Sequence, residues 1–145
     1  MNRPLSHYLE QMPLVAILRG ITPAESLDVV ACLLDAGIRI VEVPLNSPDP
    51  FDSIKLIAEK FGTQMLVGAG TVLNAEQVKD VAAAKGRLIV SPNTNAAIIK
   101  SAVALEMSCV PGAATPSEVF TALDAGANGV KAFPAITHPV RTTRI

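Results

Sequence analysis

The chain has 145 residues, which suits a single domain, and half of them are hydrophobic although only 3% are aromatic. A net charge of −1, with no run of lysine or arginine and few rings for base stacking, excludes the usual features of nucleic-acid binding. Residues 1–13 lack the apolar core of a signal peptide, and no stretch reaches the roughly 18 uninterrupted apolar residues of a membrane span, so no membrane partner is expected.

Six short apolar runs, each with glycine or proline at or near its end, predict six strands. In chain order they are "LVAILRG" (14–20), "IRIVEVPL" (38–45), "MLVGAG" (65–70), "RLIVSP" (87–92), "MSCVPG" (107–112) and "GVKAFPA" (129–135). Their ends recur every 20 to 25 residues or so, about the length of one βα unit. A core rich in Ala, Val, Ile and Leu is typical of helices packed on parallel strands.

The six strands are predicted to alternate with five helices, and capping motifs support this. "TPAE" (22–25) and "TPSE" (115–118) place threonine at the N-cap, proline at the first helical position and glutamate at the third, and "NAEQ" (74–77) follows the same pattern. "DAG" closes two helices, at 35–37 and 124–126. Two architectures fit, an open doubly wound sheet or a (β/α)₈ barrel. A barrel needs eight strands in about 200 residues, so length alone favours the open sheet.

Two charged residues interrupt apolar strands. By strand alternation Glu42 faces the same way as Ile40, and Lys131 the same way as Phe133. A buried carboxylate has a raised pKa and suits acid–base catalysis, and a desolvated amine suits attack on a ketone. Together they suggest Schiff-base chemistry. The alternatives are a structural ion pair for the glutamate and a lysine whose charge reaches the surface.

Other strand ends offer polar or shaping groups. Arg19 could clamp a substrate carboxylate or be an ordinary surface arginine. Thr71 follows "GAG" and could present its hydroxyl to a small substrate, but Leu73 replaces the third glycine of a dinucleotide fingerprint. Pro92 ends a strand, and a proline there can also shape a pocket wall.

Histidine and cysteine are too sparse to predict a metal site. His7 and His138 lie near opposite ends without ligand spacing, so neither a metal nor any other cofactor is expected. Cys32 and Cys109 lie on apolar segments far apart, and we expect both to be small buried hydrophobes in a reducing cytoplasm.

Five segments in order resemble one enzyme family. "EVPLNSP" (42–48), "VGAGTVLN" (67–74), "IVSPN" (89–93), "VPGAATPSE" (110–118) and "GVKAFPA" (129–135) are similar to the class I 2-keto-3-deoxy-6-phosphogluconate / 2-keto-4-hydroxyglutarate aldolases. The resemblance runs from about residue 14 to residue 135. It implies a (β/α)₈ TIM barrel, usually a homotrimer, that cleaves a keto-deoxy sugar acid phosphate to pyruvate and glyceraldehyde 3-phosphate.

The resemblance also implies residue roles. The Schiff-base lysine falls on Lys131 and the proton-shuttling glutamate on Glu42. The positions around the pyruvoyl part of the substrate fall on Arg19, Thr71, Pro92 and Phe133.

Asn46 bears on the substrate. Phosphogluconate members usually carry arginine at this position, and asparagine resembles the branch acting on the C4 epimer, 2-keto-3-deoxy-6-phosphogalactonate. The phosphogluconate and 4-hydroxy-2-oxoglutarate substrates remain alternatives, and Asn46 could instead cap the following helix together with Ser47.

The resemblance covers about six βα units. Residues 1–135 are expected to form an incomplete barrel domain, followed by a divergent tail at 136–145, "ITHPVRTTRI". The family continues through strands seven and eight, which hold the substrate phosphate. Without them we expect exposed sheet edges, low stability and weak phosphate binding. An inactive remnant is a further alternative.

Overall fold

The computed structural model describes residues 3–137 and contains six strands that alternate with helices. The strands are β1 (Val15–Ile17), β2 (Ile40–Pro44), β3 (Leu66–Gly70), β4 (Leu88–Ser91), β5 (Ser108–Ala113) and β6 (Lys131–Ala132). The helices are α1 (Leu5–Gln11), α2 (Pro23–Asp35), α3 (Pro50–Phe61), α4 (Ala75–Ala83), α5 (Ala96–Ala104) and α6 (Pro116–Asp124), and a 3₁₀ turn spans Ala135–Thr137. The six predicted strands are confirmed, each within the predicted run or one residue beyond its end.

The sheet has the order of a barrel. All six strands are parallel and lie side by side in chain order, β1 to β6, so that β1 and β6 form its two edges. A doubly wound sheet reverses its strand order at a switch point, and this sheet has no reversal. The resulting half-barrel confirms the incomplete (β/α)₈ fold of about six βα units, and the open-sheet alternative is wrong.

Alternation along each strand divides the core in two. On β2, Val41 and Val43 face outward into a large cluster covered by the helices. Ile40 faces inward and packs with Leu66 and Leu88 in a smaller cluster inside the half-barrel. These inward residues lie at or near the amino ends of their strands, so the inner apolar packing is concentrated there.

Helix α1 was not predicted from the sequence. It is only seven residues long and its N-cap, Pro4, makes no side-chain capping hydrogen bond, so the local pattern is weak. Its buried residues Leu5 and Tyr8 belong to the inner cluster. The helix therefore covers the amino ends of the strands and leaves their carboxyl ends as the accessible side of the half-barrel.

The helix N-termini follow the predicted capping with one difference. Thr115 Oγ1 accepts a hydrogen bond from Glu118 N at 3.3 Å, and Thr115 N donates to the Glu118 carboxylate at 2.8 Å. Asn74 Oδ1 likewise accepts from Gln77 N at 2.9 Å, but the Gln77 side chain accepts from Leu73 N rather than from the cap itself. The amide at position 77 thus stabilises the turn that leads into α4.

The two cysteines differ in their environments. Cys109 is buried, and desolvation raises the pKa of its thiol to about 12. Cys32 is exposed, so the prediction that it is buried is wrong. The inward-facing residue of this part of α2 is Val30, and two residues further along a helix is a rotation of roughly 200°, which turns Cys32 to solvent.

Within residues 3–137 no helix is long and apolar enough to cross a membrane. Most of the predicted tail, residues 138–145, lies outside the described residues.

We predict that Tyr8→Ala lowers the free energy of unfolding by about 3–5 kcal/mol, because an aromatic side chain that is 2% exposed is removed from the inner cluster. Glu10→Ala, on the exposed face of the same helix, is the control and should change stability by less than about 0.5 kcal/mol. Urea unfolding followed by circular dichroism measures both. Equal effects would contradict the role assigned to α1.

Candidate active site

The carboxyl ends of the strands bring all seven sequence-predicted residues to one side of the half-barrel. Glu42 lies within β2 and Lys131 within β6. The others follow strand ends by one or two residues, and they are Arg19 after β1, Asn46 after β2, Thr71 after β3, Pro92 after β4 and Phe133 after β6. Parallel α/β proteins build their sites at this edge.

Glu42 is a buried carboxylate on the inner face of the sheet. Its residue is 3% exposed, and it pairs in register with Ile17 on one side and Gly68 on the other. Among residues 3–137 no group hydrogen-bonds to its Oε2 atom, and it forms no salt bridge within 4.0 Å. A buried polar atom without a partner costs free energy, which is typical of a functional group awaiting a ligand or a proton.

Burial dominates the electrostatics of Glu42. Desolvation raises the pKa of its carboxyl group, while the positive charges of Lys131 and Arg19 lower it by less, so that the pKa lies above its ordinary value of 4.5. Both cations are therefore close enough to act on the carboxylate. The group is able to hold a proton nearer to neutral pH than an exposed glutamate.

Lys131 faces the same cavity as Glu42. The cavity has a volume of about 350 Å³, and its lining is mostly apolar, with Leu88, Val90 and Val110 among the residues around the two charged side chains. Lys131 is half-buried, and its Nζ atom lies 4.5 Å from the centroid of the Phe133 ring. The Lys131 side chain therefore lies within cation–π distance of an aromatic ring that is itself 39% exposed.

Asn46 contacts the first strand's loop. Its Oδ1 atom accepts a hydrogen bond from Arg19 Nη1 at 3.2 Å. Ser47 Oγ accepts from Gly20 N at 3.0 Å. The alternative that Asn46 and Ser47 cap the next helix is wrong, because the N-cap of α3 is Asp49. Their polar groups instead join two loops that lie far apart in sequence.

Thr71 and Pro92 form the middle of the site edge. Thr71 is half-buried with a φ of 57°, a left-handed conformation that is strained for a β-branched residue. Pro92 is half-buried, and its carbonyl lies against Gly112 so closely that a Cβ there would overlap it. These features constrain the backbone at Thr71 and Pro92.

Sequence reasoning missed two residues of the site. Ser47 is 8% exposed and joins the loops after β1 and β2, and Gly70 lies against the Glu42 carboxylate. Ser47 had no local signal beyond its possible role as a cap. For Gly70 a signal existed, because alternation along "LVGAG" places residues 66, 68 and 70 on the inner face, with glycine at two of the three.

Metal ligands do not cluster in the part of the chain that the structure describes. Residues 3–137 contain no group of three or more His, Cys, Asp or Glu side chains arranged to hold an ion. His138 lies outside the described residues. The polar groups at this edge are instead an acid, two cations, an amide and a hydroxyl, a set that suits a carbonyl compound with anionic groups.

Comparison with known proteins agrees with the resemblance. Residues 5–141 match the model of the KDPG and KHG aldolase family. The chain belongs to this family. The galactonate enzyme of Escherichia coli (strain K12), 2-dehydro-3-deoxy-6-phosphogalactonate aldolase, is 50% identical over 125 residues, which cover 86% of this chain and 61% of that one.

Two further aldolases show how the similarity is graded. The 2-dehydro-3-deoxy-phosphogluconate aldolase of Zymomonas mobilis (subsp. mobilis, strain ATCC 31821 / ZM4 / CP4) is 32% identical over 92% of this chain and 63% of its own length. A solved structure described as native KDPGal superposes with a TM-score of 0.84 at 50% identity, over 86% of this chain and 60% of that chain. This chain therefore spans about three fifths of the length of these relatives.

We predict that replacing Glu42 changes how the stability of the chain depends on pH. A carboxyl group whose pKa is raised on folding stabilises the folded state below its unfolded pKa, and this contribution is lost as pH rises through the folded pKa. Relative to Glu42→Gln, the wild-type chain should therefore lose stability progressively as the pH rises above about 4.3, the ordinary pKa of a glutamate in an unfolded chain. Urea unfolding at a series of pH values from this point upward measures the difference.

The control is Glu76→Gln, an exposed glutamate on α4, which should leave the pH dependence of wild type nearly unchanged. A stability difference between wild type and Glu42→Gln that is constant with pH would show that burial does not raise the pKa of Glu42.

Proposed function

We propose that the chain is the Schiff-base aldolase part of an enzyme that cleaves 2-dehydro-3-deoxy-6-phosphogalactonate to pyruvate and glyceraldehyde 3-phosphate. One observation carries the proposal. The buried Glu42 carboxylate, whose Oε2 has no hydrogen-bond partner among residues 3–137, shares a cavity with Lys131, and the charges of Lys131 and Arg19 act on it. An acid and an amine in one desolvated cavity are what iminium chemistry requires.

Lys131 begins the reaction as the nucleophile. Its neutral amine attacks the C2 ketone of the substrate, and the carbinolamine loses water to give an iminium ion. Glu42 transfers the protons. Its carboxyl group gives one to the departing hydroxyl and becomes a carboxylate. The mostly apolar cavity that Lys131 lines also contains Glu42, which supports proton transfer beside the amine.

The iminium ion then accepts the electrons of the C3–C4 bond. The Glu42 carboxylate takes the proton of the C4 hydroxyl and becomes a carboxyl group again, the C3–C4 bond breaks, and glyceraldehyde 3-phosphate departs from an enamine. The enamine takes a proton at C3 from the Glu42 carboxyl group, and water releases pyruvate and restores the amine. The raised pKa of Glu42 supports this cycle, because the group must both give and take a proton.

The remaining residues hold the substrate. We assign Arg19 to the substrate carboxylate, Thr71 to a polar group of the pyruvoyl part, and Pro92 and Phe133 to its apolar walls. The guanidinium fork is suited to a carboxylate, and Phe133 already lies against Lys131. No cofactor is needed for these steps, since the lysine supplies the electrophilic activation.

Asn46 supports the galactonate epimer as the substrate. The galactonate relative is 50% identical and the gluconate relative 32%. Asn46 accepts a hydrogen bond from Arg19, whereas arginine at that position, as expected in gluconate members, would add a second cation beside it. We therefore infer that Asn46 contributes to the choice between C4 epimers.

We place the enzyme in the cytoplasm as a homotrimer. The free thiols of Cys32 and Cys109 support a reducing compartment. Phe120 and Leu123 on α6 are 66% and 49% exposed, and such apolar side chains support association between copies.

Borohydride reduction in the presence of pyruvate should trap a covalent adduct on Lys131, because the enzyme's own iminium ion is reduced to a stable secondary amine. Peptide mass spectrometry should locate the added mass at Lys131. Lys131→Met should abolish it, and Lys100→Met, at an exposed lysine of α5, should leave it unchanged. A folded chain without any adduct would overturn the proposed function.

Asn46→Arg should shift the preference toward the gluconate epimer. We expect the ratio of kcat/KM for the galactonate over the gluconate substrate to fall by about tenfold or more, the scale of one altered polar contact. Asn46→Ala removes the acceptor without adding a cation, and it should lower the same ratio by a smaller factor. An unchanged ratio in Asn46→Arg would exclude Asn46 from epimer selection.

A further inference from the structure

We propose that Gly70 is the positioning residue for the Glu42 carboxylate, and that the missing side chain at position 70 creates the space in which the proton-transferring group lies. This inference rests on the proposed function. It adds a residue that touches neither the substrate nor the reacting lysine and acts only through Glu42.

The contact follows from the register of two neighbouring strands. Glu42 pairs with Gly68, and Pro44 pairs with Gly70, so Gly70 lies one inner-face position further toward the carboxyl end than Glu42. The Glu42 side chain leans across to β3 in this direction. A Cβ at Gly70 would overlap Glu42 Oε2 and Cδ, and would lie 2.6 Å from Oε1.

The requirement for glycine at this position is spatial and not conformational. Gly70 does not have the positive φ that Gly20, Gly37 and Gly126 have. Alanine could therefore adopt the backbone of residue 70, and the three atoms nearest to its Cβ would all belong to the carboxyl group of Glu42. Gly68 is different, because a Cβ there would strike the backbone and Cβ of Leu88.

The position has a chemical consequence. In this position the Glu42 carboxylate is buried and shares the cavity with Lys131, and its Oε2 has no hydrogen-bond partner within residues 3–137. A methyl group at residue 70 must displace the Glu42 carboxylate from β3. A proton-transferring group that is displaced by even an ångström loses much of its efficiency.

Proton transfer at C3 can be measured separately from Schiff-base formation. In the pyruvate iminium ion, the Glu42 carboxylate takes a proton from the methyl carbon and an enamine forms, which then takes a deuteron back in D₂O. Exchange of the pyruvate methyl protons, followed by NMR, reports on Glu42. The final yield of borohydride-trapped adduct reports on Lys131.

Gly70→Ala should lower the exchange rate by about tenfold or more while the final adduct yield on Lys131 stays near that of wild type. Lys100→Met, at an exposed lysine of α5 that does not line the cavity, is the control, and both readouts should remain unchanged. A Gly70→Ala chain that exchanges at the wild-type rate would overturn the proposal.

Unfolding measurements test the contact independently of activity. Gly70→Ala should lower the urea midpoint in the wild-type background and leave it nearly unchanged in a Glu42→Ala background, where no carboxylate remains to clash. Equal losses in both backgrounds would overturn the proposal. If wild type gave neither adduct nor exchange, the proposed function would fail, and this cycle would still decide whether Gly70 positions Glu42.

Discussion

The parallel pairing of six strands in chain order is the constraint on which the candidate site depends. Because each strand joins the preceding one, every carboxyl end falls on the same edge, and residues from five strand ends meet there. The opposite edge is closed by α1, whose Leu5 and Tyr8 pack inside the half-barrel. Packing is thus concentrated at one end and polar chemistry at the other.

The inner face of the sheet changes character along its length. Near the amino ends it carries Ile40, Leu66 and Leu88, which form an apolar floor. One inner position further it carries Glu42 on β2 and a glycine on β3. The floor removes water from beneath the carboxylate, and this desolvation is the largest cause of its raised pKa. The free energy lost on burying Glu42 is offset by the packing of the same floor, a common arrangement at functional sites.

The loops after β1 and β2 behave as one unit. Arg19 donates to Asn46 and Gly20 donates to Ser47, so two hydrogen bonds join segments that are 27 residues apart. A substitution at position 46 therefore changes the environment of the Arg19 guanidinium as well as the local surface. In the proposed enzyme this couples the residue that selects the epimer to the residue that holds the substrate carboxylate.

Local sequence patterns were enough to predict the strands and the capped helices, and to predict which face of its strand Glu42 and Lys131 each occupy. These features depend on local periodicity and on caps such as Thr115 with Glu118, which involve residues only a few positions apart. The family resemblance extended this to the barrel-type order of the strands, which length alone had argued against. The motifs also named Arg19, Asn46 and Thr71, but they did not indicate Ser47 or the cavity-lining Asn128.

The contacts between distant segments are seen only once the chain is folded. In the folded chain α1 packs inside the half-barrel and Cys32 faces solvent. Asn46 accepts a hydrogen bond from Arg19 rather than capping a helix, and the Glu42 carboxylate lies against Gly70. None of these follows from a local pattern, because each depends on which surfaces meet after the strands have paired. The sequence predicts that Glu42 is the acid, but the space that its carboxylate occupies depends on Gly70 of the neighbouring strand β3.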